Sequence, residues 1–299
     1  MYKNIIPQLV SLDTKINGLN GFYLSENFNF FDLIDFKNKY HYKIIIKNDI
    51  QIPKEYDFRN EYFLKKGNIW YYERKFFLFS LKLQYDYEKK IFYINRLYTL
   101  FPFTIGGILP VGTNISDFIN LELFINDYIL FRGCSFDYNG TVACITAPGF
   151  NGKTSMMGDV LKNGASYIAE NNLLISFFEK KVYPTCPFIK NLWNLKGFNH
   201  VLKRLFKKNI LVKNSKNFTE LLLVQNSTSN IIAHNKNIRE YLMLNSLYFL
   251  DNLFIKSFIF ENGILSDVVA KIDKISIFDS DCKFVSIKNF KYNFFKKNE

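Results

Sequence analysis

The stretch from Val142 to Glu170 constrains the fold of this chain more than any other. Residues Val142 to Thr146 form a short apolar run rich in strand-forming residues, and a glycine-bearing loop follows at Ala147 to Thr154. Helix-compatible residues continue from Lys153 to Leu161, and Asn163-Gly164 supplies a helix stop signal before a second apolar run. This order predicts a strand, a loop, a helix and a second strand, which is the setting of a phosphate-binding loop.

The loop itself fits the Walker A pattern of a small residue, four spacers, Gly-Lys and a hydroxyl residue. Without a Cβ at Gly149 or Gly152, backbone N–H groups can turn inward around phosphate oxygens. Lys153 is predicted to reach the β- and γ-phosphates, and the Thr154 hydroxyl to hold Mg²⁺. The predicted nucleotide-binding residues are Gly149, Phe150, Asn151, Gly152, Lys153, Thr154 and Ser155.

The residues on both sides of the loop resemble the catalytic domain of HPr kinase/phosphorylase, and still more its smaller HPr-kinase-like relatives. The resemblance rests on the run from Arg132 to Gly140, on the loop from Ala147 to Thr154, and on Gly164 followed by Ala169-Glu170-Asn171. It implies an α/β P-loop core with a mixed sheet and an ATP- or other NTP-dependent kinase that uses Mg²⁺. Its acceptor would be a serine-like hydroxyl on a peptide, protein or small molecule, in a peptide-modification or polysaccharide pathway.

The chain departs from the family at its acid and base positions. Arg132 replaces the family histidine, and Glu170 and Asn171 replace two aspartates. In HPr kinase the second aspartate accepts the proton of the serine hydroxyl, and an amide at Asn171 cannot do so. Glu170 keeps a carboxylate, so the resemblance makes it a candidate for the Mg²⁺ ligand, beside Thr154, or for the base.

Two further residues are candidates with an alternative left open. Asp137 matches the acid that the family carries before the loop, or it is an ordinary turn residue before Asn139-Gly140. Arg132 either binds a phosphate in bidentate fashion or is a surface arginine at a strand end. The predicted catalytic set is therefore Lys153, Glu170, Asp137 and Arg132.

Composition limits the class of protein and its partners. The chain has 299 residues, of which 48% are hydrophobic, so one large or two modest domains are expected rather than a disordered chain. The net charge of +12 favours non-specific affinity for anionic partners, and since no nucleic-acid motif accompanies it, no specific nucleic-acid partner is predicted. The four cysteines and three histidines show no zinc-site spacing. The sequence shows neither a signal peptide nor about 18 consecutive apolar residues, which predicts a cytoplasmic protein without a membrane span.

Two domains are predicted, with the boundary near residue 120. Residues 1–120 are predicted to form a strand-rich, mainly antiparallel module that either selects a partner or substrate or merely completes the fold. Its strands are placed at His41 to Ile46, Lys75 to Lys82 and Lys90 to Ile94, and a helix at Ile115 to Ile125 with Asn114 or Ser116 as N-cap.

Residues 121–299 are predicted to form the HPr-kinase-like nucleotide-binding domain. Three readings compete for the basic amphipathic segment from Ile189 to Asn209: a solvated face, a contact for an acidic or phosphorylated substrate, or a membrane-surface patch. The other predicted elements are strands at 172–178, 182–183, 221–224, 275–278 and 283–287, and a helix at Asn237 to Asn252.

Two functions remain open at this level. The first is the kinase, with a nucleotide and an unidentified hydroxyl-bearing acceptor as partners and a homo-oligomer as a further possibility. The second is a catalytically degenerate nucleotide-binding sensor or scaffold, which the substitutions at Arg132 and Asn171 support. A nucleic-acid partner based on net charge alone is a weaker third alternative.

Overall fold

The fold is strand-rich and mixed α/β with mixed sheets, which confirms the α/β part of the predicted class. The chain divides into two units, Met1–Ile119 with Asn252–Gly263 and Asn120–Asp251 with Ile264–Glu299. A computed structural model describes residues 1–19, 21–24, 28, 30–77, 79–97, 111–147, 153–185, 211–225, 235–275 and 281–286, without the side chains of 111, 154, 155, 225, 235–237 and 286.

The first unit contains a nine-stranded sheet in the order β3-β1-β2-β4-β9-β8-β7-β6-β5. The neighbours β2–β4 and β4–β9 are parallel and the other neighbours are antiparallel, so the sheet is mainly antiparallel. The strands are β1 Tyr2–Ile6, β2 Val10–Asp13, β3 Leu33–Ile34, β4 Tyr40–Lys47, β5 Phe58–Arg59, β6 Phe63–Lys66, β7 Ile69–Lys75, β8 Ser80–Asp86 and β9 Ile91–Asn95.

Of the three strands predicted in this unit, two are confirmed and one is wrong. β4 and β9 cover the predicted segments. The segment Lys75 to Lys82 is not one strand, because β7 ends at Lys75 and its antiparallel partner β8 begins at Ser80, and the Phe76 N–H donates to the Phe79 carbonyl at 2.7 Å. Its aromatic residues all favour strands and none is a turn former, so the sequence carried no signal for the turn.

A polar cluster joins the two pieces of chain that form the first unit. Helix α1, Val111–Ile125, contains Asn114 and Ser116 in its interior, so the N-cap prediction for those residues is wrong. Asn252 caps helix α4, Leu253–Glu261, by accepting from the Phe254 N–H at 2.9 Å. The Asn252 amide donates to Asn114 at 3.0 Å and to Asp117 at 2.7 Å, and the Tyr23 hydroxyl also donates to Asp117. Hydrogen bonds therefore join residues 252–263 to the N-terminal piece of the first unit, residues 1–119.

The buried Asp117 carboxyl predicts a pH-dependent stability of this unit. Burial raises the pKa of Asp117 from 3.8 to about 7, although the hydrogen bonds from Asn252 and Tyr23 act in the opposite direction. Between these two values the folded state binds more protons than the unfolded state, so stability falls as the pH rises from about 4 to 7. We expect the unfolding free energy of the wild-type protein to fall by about 2–4 kcal/mol between pH 5 and pH 8, as measured by urea unfolding. Asp117→Asn should abolish this decrease. Glu55→Gln, at an exposed acid of the same unit, is the control and should leave the profile unchanged.

The second unit holds two sheets and three α-helices among its described residues. A five-stranded sheet has the order β13-β11-β12-β17-β18, and a four-stranded sheet has the order β10-β14-β15-β16. The elements are β10 Ile129–Phe131, β11 Gly133–Tyr138, β12 Thr141–Thr146, α2 Lys153–Lys162, β13 Ser166–Glu170, β14 Leu173–Ser176, β15 Lys181–Tyr183, β16 Lys216–Asn217, β17 Leu221–Gln225, α3 Asn235–Ser246, a 3₁₀ helix Leu247–Asp251, α5 Leu265–Ile275 and β18 Cys282–Ser286.

Four strands of the five-stranded sheet run in the same direction. β12, β17 and β18 are parallel neighbours, and β11 lies between β12 and β13 and is antiparallel to both. The carboxyl ends of β12, β13, β17 and β18 therefore lie along one edge, here called the loop edge. Helix α2 packs on this sheet through Met156, Met157 and Val160, in one core with the buried Phe136 and Ile145.

Most predicted elements of the second unit are confirmed. β12, α2, β13, β14, β15, β17 and β18 lie at the predicted places, Gly164 has φ +97° beyond α2, and the predicted helix at 237–252 changes to 3₁₀ after Ser246. The strand predicted at 275–278 is wrong at Ile275, which is the last residue of α5, and residues 276–278 lie outside the described residues. The basic amphipathic segment predicted at 189–209 also lies outside them. Among the described helices none is long and apolar enough to cross a membrane.

Candidate functional site

The loop edge brings together three of the four predicted catalytic residues. Arg132 lies between β10 and β11, Glu170 is the last residue of β13, and Lys153 is the first residue of α2. The strand register places Cys134 opposite Glu170 and Gly133 opposite Thr146, so these chain segments are neighbours at one edge. Ligands of open α/β sheets bind outside the carboxyl ends of the strands, which is the position of this cluster.

Lys153 extends its side chain back toward the end of β12. Its ammonium donates to the Ala147 carbonyl at 2.6 Å, and the residue is only 7% exposed. Burial lowers the pKa of Lys153 below its ordinary value; the Cys134 and Glu170 groups act to raise it, and the Arg132 charge lowers it further. A buried ammonium is held in place only where opposing charge or acceptors offset its lost hydration, and a bound anion supplies such charge.

Glu170 is almost fully buried, at 2% exposed. Its neighbour across the strand pair is Cys134, and the charge of Glu170 adds to burial in raising the pKa of that thiol. The chain turns sharply after Glu170, because Asn171 has φ +61°, a left-handed conformation that asparagine tolerates better than most residues. The Thr185 hydroxyl then donates to the Asn172 carbonyl at 2.5 Å. Glu170 is thus held on a rigid strand end rather than on a mobile loop.

Arg132 has a fixed backbone and an exposed side chain. Its N–H donates to the Asn245 carbonyl at 2.8 Å, and its own carbonyl accepts from the Thr146 hydroxyl at 3.0 Å and from the Ala147 N–H at 3.2 Å. The guanidinium lies 5.1 Å from the centre of the Tyr248 ring, a cation–π contact. Arg132 therefore links the first residues of the loop to the helix that follows β17.

Asp137 is not brought into this cluster. It pairs with Val142 and Ser166, three residues along β11 from Cys134 and about 10 Å away at the rise of a strand. One carboxylate oxygen accepts from the Gly140 N–H at 3.0 Å and the other lies 3.1 Å from the Lys216 ammonium. These contacts are those of the ordinary turn residue that the sequence left as the alternative.

Several predicted site residues lie outside the described part of the chain. Gly149, Phe150, Asn151 and Gly152 are not described, nor are the side chains of Thr154 and Ser155, although their backbones belong to α2. The predicted Mg²⁺ ligand Thr154 therefore has no described position. Among the described residues no group of three His, Cys, Asp or Glu side chains is arranged to hold a metal ion.

Sequence reasoning missed the contribution of α3 and the 3₁₀ helix. The Tyr241 hydroxyl contacts the carbonyls of Val224 at 2.6 Å and Thr146 at 3.2 Å, which are at the carboxyl ends of two adjacent parallel strands. Burial raises the pKa of Tyr241. Tyr241, Asn245 and Tyr248 follow one another at spacings of four and three residues, so a single face of a predicted helix carried all three. That spacing was the signal available in the sequence.

The arrangement concentrates positive charge at one strand edge. Lys153 and Arg132 are cations there, and the N-terminus of α2 adds its partial positive charge at the same place. Glu170 contributes a carboxylate beside Lys153. Such a concentration of positive charge suits an anionic ligand.

Comparison with known protein-family models produced no match for this chain, and neither did comparison with curated proteins. The resemblance to HPr kinases therefore rests on the residues named above.

The Tyr241 contacts predict a local role at the base of the loop. Tyr241→Phe removes the hydroxyl and leaves two carbonyls without this donor, so we expect a loss of about 1–2 kcal/mol of unfolding free energy. Amide hydrogen exchange should accelerate at the ends of β12 and β17. Tyr183→Phe, which removes a hydroxyl bonded at 2.7 Å to Glu179, is the matched control and should not change exchange at those strand ends. Equal exchange in both variants would contradict the assignment.

Proposed function

We propose that this chain binds a nucleoside triphosphate with Mg²⁺ at the loop after β12 and transfers a phosphoryl group to a hydroxyl-bearing acceptor. The proposal includes the finer fold assignment, a P-loop core of the HPr-kinase-like type. The observation that carries it is the position of Lys153 at the start of α2, between a strand end and the buried Glu170. This is where the Walker A pattern requires the lysine to be.

The donor set suits a triphosphate. The Lys153 ammonium is a compact positive charge at the loop edge, and it donates to the Ala147 carbonyl at 2.6 Å. The Arg132 guanidinium is planar and can hold phosphate oxygens in bidentate fashion once it leaves the Tyr248 ring. Phosphoryl transfer depends mainly on positioning and on stabilising charge, and these cations supply both. A bound Mg²⁺, when present, would neutralise charge on the transferred group, with Thr154 and Glu170 as its proposed ligands.

Glu170 is the candidate for proton acceptance. Asn171 has no basic group, and Asp137 is bonded at the other end of β11. Glu170 lies at the loop edge beside Lys153, where a carboxylate could accept the proton of an acceptor hydroxyl. One carboxylate cannot hold both a proton and a metal ion at full strength, so transfer is expected to be slower than with two acids.

The second candidate is a nucleotide-binding sensor or scaffold that lacks transfer activity. Asn171 favours this alternative, because it stands where the resembled family has its proton-accepting aspartate, and an amide cannot accept a proton. Glu170 is the acid that the sequence keeps at this pair of positions, and Asn171 follows it in a left-handed conformation. In this alternative Lys153 and Arg132 still bind the phosphates and only the chemical step is absent.

Nucleotide binding is tested by thermal shift with Mg-ATP. We expect the wild-type protein to be stabilised by about 5 °C at a saturating concentration, because a ligand that binds only the folded state adds its binding free energy. Lys153→Ala should lose this shift relative to its own ligand-free melting temperature. Lys162→Ala, an exposed lysine on the same helix, is the control and should keep it. A shift that survives in Lys153→Ala would argue against the site.

Transfer is tested by single-turnover consumption of γ-labelled ATP with serine-containing peptides as acceptors. We expect Glu170→Gln to reduce the rate by about 100-fold, the usual contribution of a general base. Asp137→Asn should retain the wild-type rate because Asp137 lies away from the loop edge. ATP binding without consumption by the wild-type protein would select the sensor over the kinase.

A further inference from the structure

The turn between β7 and β8 lacks the residues that are usual in hairpin turns. The sequence there reads Phe76-Phe77-Leu78-Phe79, and the Phe76 N–H donates to the Phe79 carbonyl at 2.7 Å. Tight hairpin turns favour Asn, Gly and Asp because of their backbone conformations. A sequence that places aromatic residues there instead departs from a local folding rule, and such departures concentrate at functional positions.

Phe77 is completely exposed, with a relative exposure of 101%, whereas Phe76 and Phe79 are half-buried and contact each other at 4.9 Å between ring centres. An exposed phenyl ring gains nothing from folding, because its apolar surface stays in water. We call Phe76, Phe77 and Phe79 the hairpin tip.

Cationic side chains lie directly beside the hairpin tip. The Arg74 guanidinium lies 5.6 Å from the Phe76 ring centre and 5.9 Å from that of Tyr62. Lys75 is the last residue of β7, and its side chain is 79% exposed, with only a 3.7 Å contact to Glu73. An exposed pair at this distance holds little energy, so Lys75 is available to an anionic partner.

The neighbouring strand ends add to the positive charge. Lys47 ends β4 and Arg96 follows β9, and the sheet order and register place both strand ends on the side of the hairpin turn. Lys82 and Asp49 form an ion pair at 3.0 Å and cancel each other. Glu61 is a further acid on this side. Even without Arg96, the three cations Arg74, Lys75 and Lys47 among the described residues at this side outnumber the two acids Glu73 and Glu61, a net charge of +1.

We propose that the hairpin tip docks the first unit on a bilayer that carries anionic lipids, with Phe77 inserted at the level of the head groups. Arg74 and Lys75 then lie among the lipid phosphates. Aromatic side chains beside basic residues are the combination that favours the membrane–water interface.

A bilayer fits this surface better than a protein does. Phe77 is the one fully exposed side chain among the described residues of the tip, and a stable protein interface buries about 800 Å² on each partner. A fluid bilayer needs no complementary pocket, and one inserted ring with adjacent basic residues supports reversible binding. This inference does not depend on the proposed kinase activity.

Tryptophan substitutions test the insertion directly. In the full-length protein, Phe77→Trp should shift its fluorescence emission to shorter wavelength on vesicles of phosphatidylcholine with about one third phosphatidylserine. Phe36→Trp, at another exposed phenylalanine of the same unit, is the matched control and should not shift. An unchanged emission from Phe77→Trp overturns the proposal.

Vesicle co-sedimentation tests the contribution of the Phe77 ring and that of the basic residues Arg74 and Lys75. We expect Phe77→Ser to weaken binding by about tenfold through the loss of the buried ring. The double variant Arg74→Gln/Lys75→Gln should lose the preference for phosphatidylserine and the dependence on salt. Failure of the wild-type protein to bind these vesicles overturns the proposal. So does a change of oligomeric state in Phe77→Ser, which would show that the tip contacts a second copy of the chain.

Discussion

The candidate site depends on the close approach of β11 to its neighbours. A Cβ at Gly133 would lie 2.5 Å from the Ile145 carbonyl oxygen and 2.7 Å from a methyl carbon of Leu173, so only glycine fits there. Because β11 pairs with β12 on one side and β13 on the other, the segments that carry Arg132, Lys153 and Glu170 end at the same edge. The pairing of the backbone strands therefore determines which side chains meet at the site.

The burial of Lys153 is the energetic counterpart of that geometry. Removing an ammonium from water is costly, and the Ala147 carbonyl and the nearby Glu170 charge act against that cost. A ligand with several negative charges would recover more, since its attraction acts where water screens it least. Burial lowers the pKa of Lys153, and an anion bound beside it would raise that pKa.

The sequence predicted the local order of the second unit well because its signals are local. The apolar run before the loop, the Gly164 stop and the acid at the end of β13 each follow from nearby residues. It could not predict that α3 would place Tyr241 against the carbonyls of Thr146 and Val224, because that contact joins residues 95 and 17 positions apart. For the same reason Asn114 looked like a cap in sequence but lies inside α1, and the amide that caps α4 is Asn252.

The first unit is built from two pieces of chain separated by the whole of β10 to α3. Its sheet is complete by residue 95, but the Asn252 amide and the Phe254 ring, which stacks on Phe63 at 4.3 Å, belong to a segment that ends at Gly263. During synthesis on the ribosome this unit therefore remains unfinished until most of the second unit has emerged. The apolar surface that α4 covers is exposed over that interval, and exposed apolar surface of this kind favours aggregation of incomplete chains.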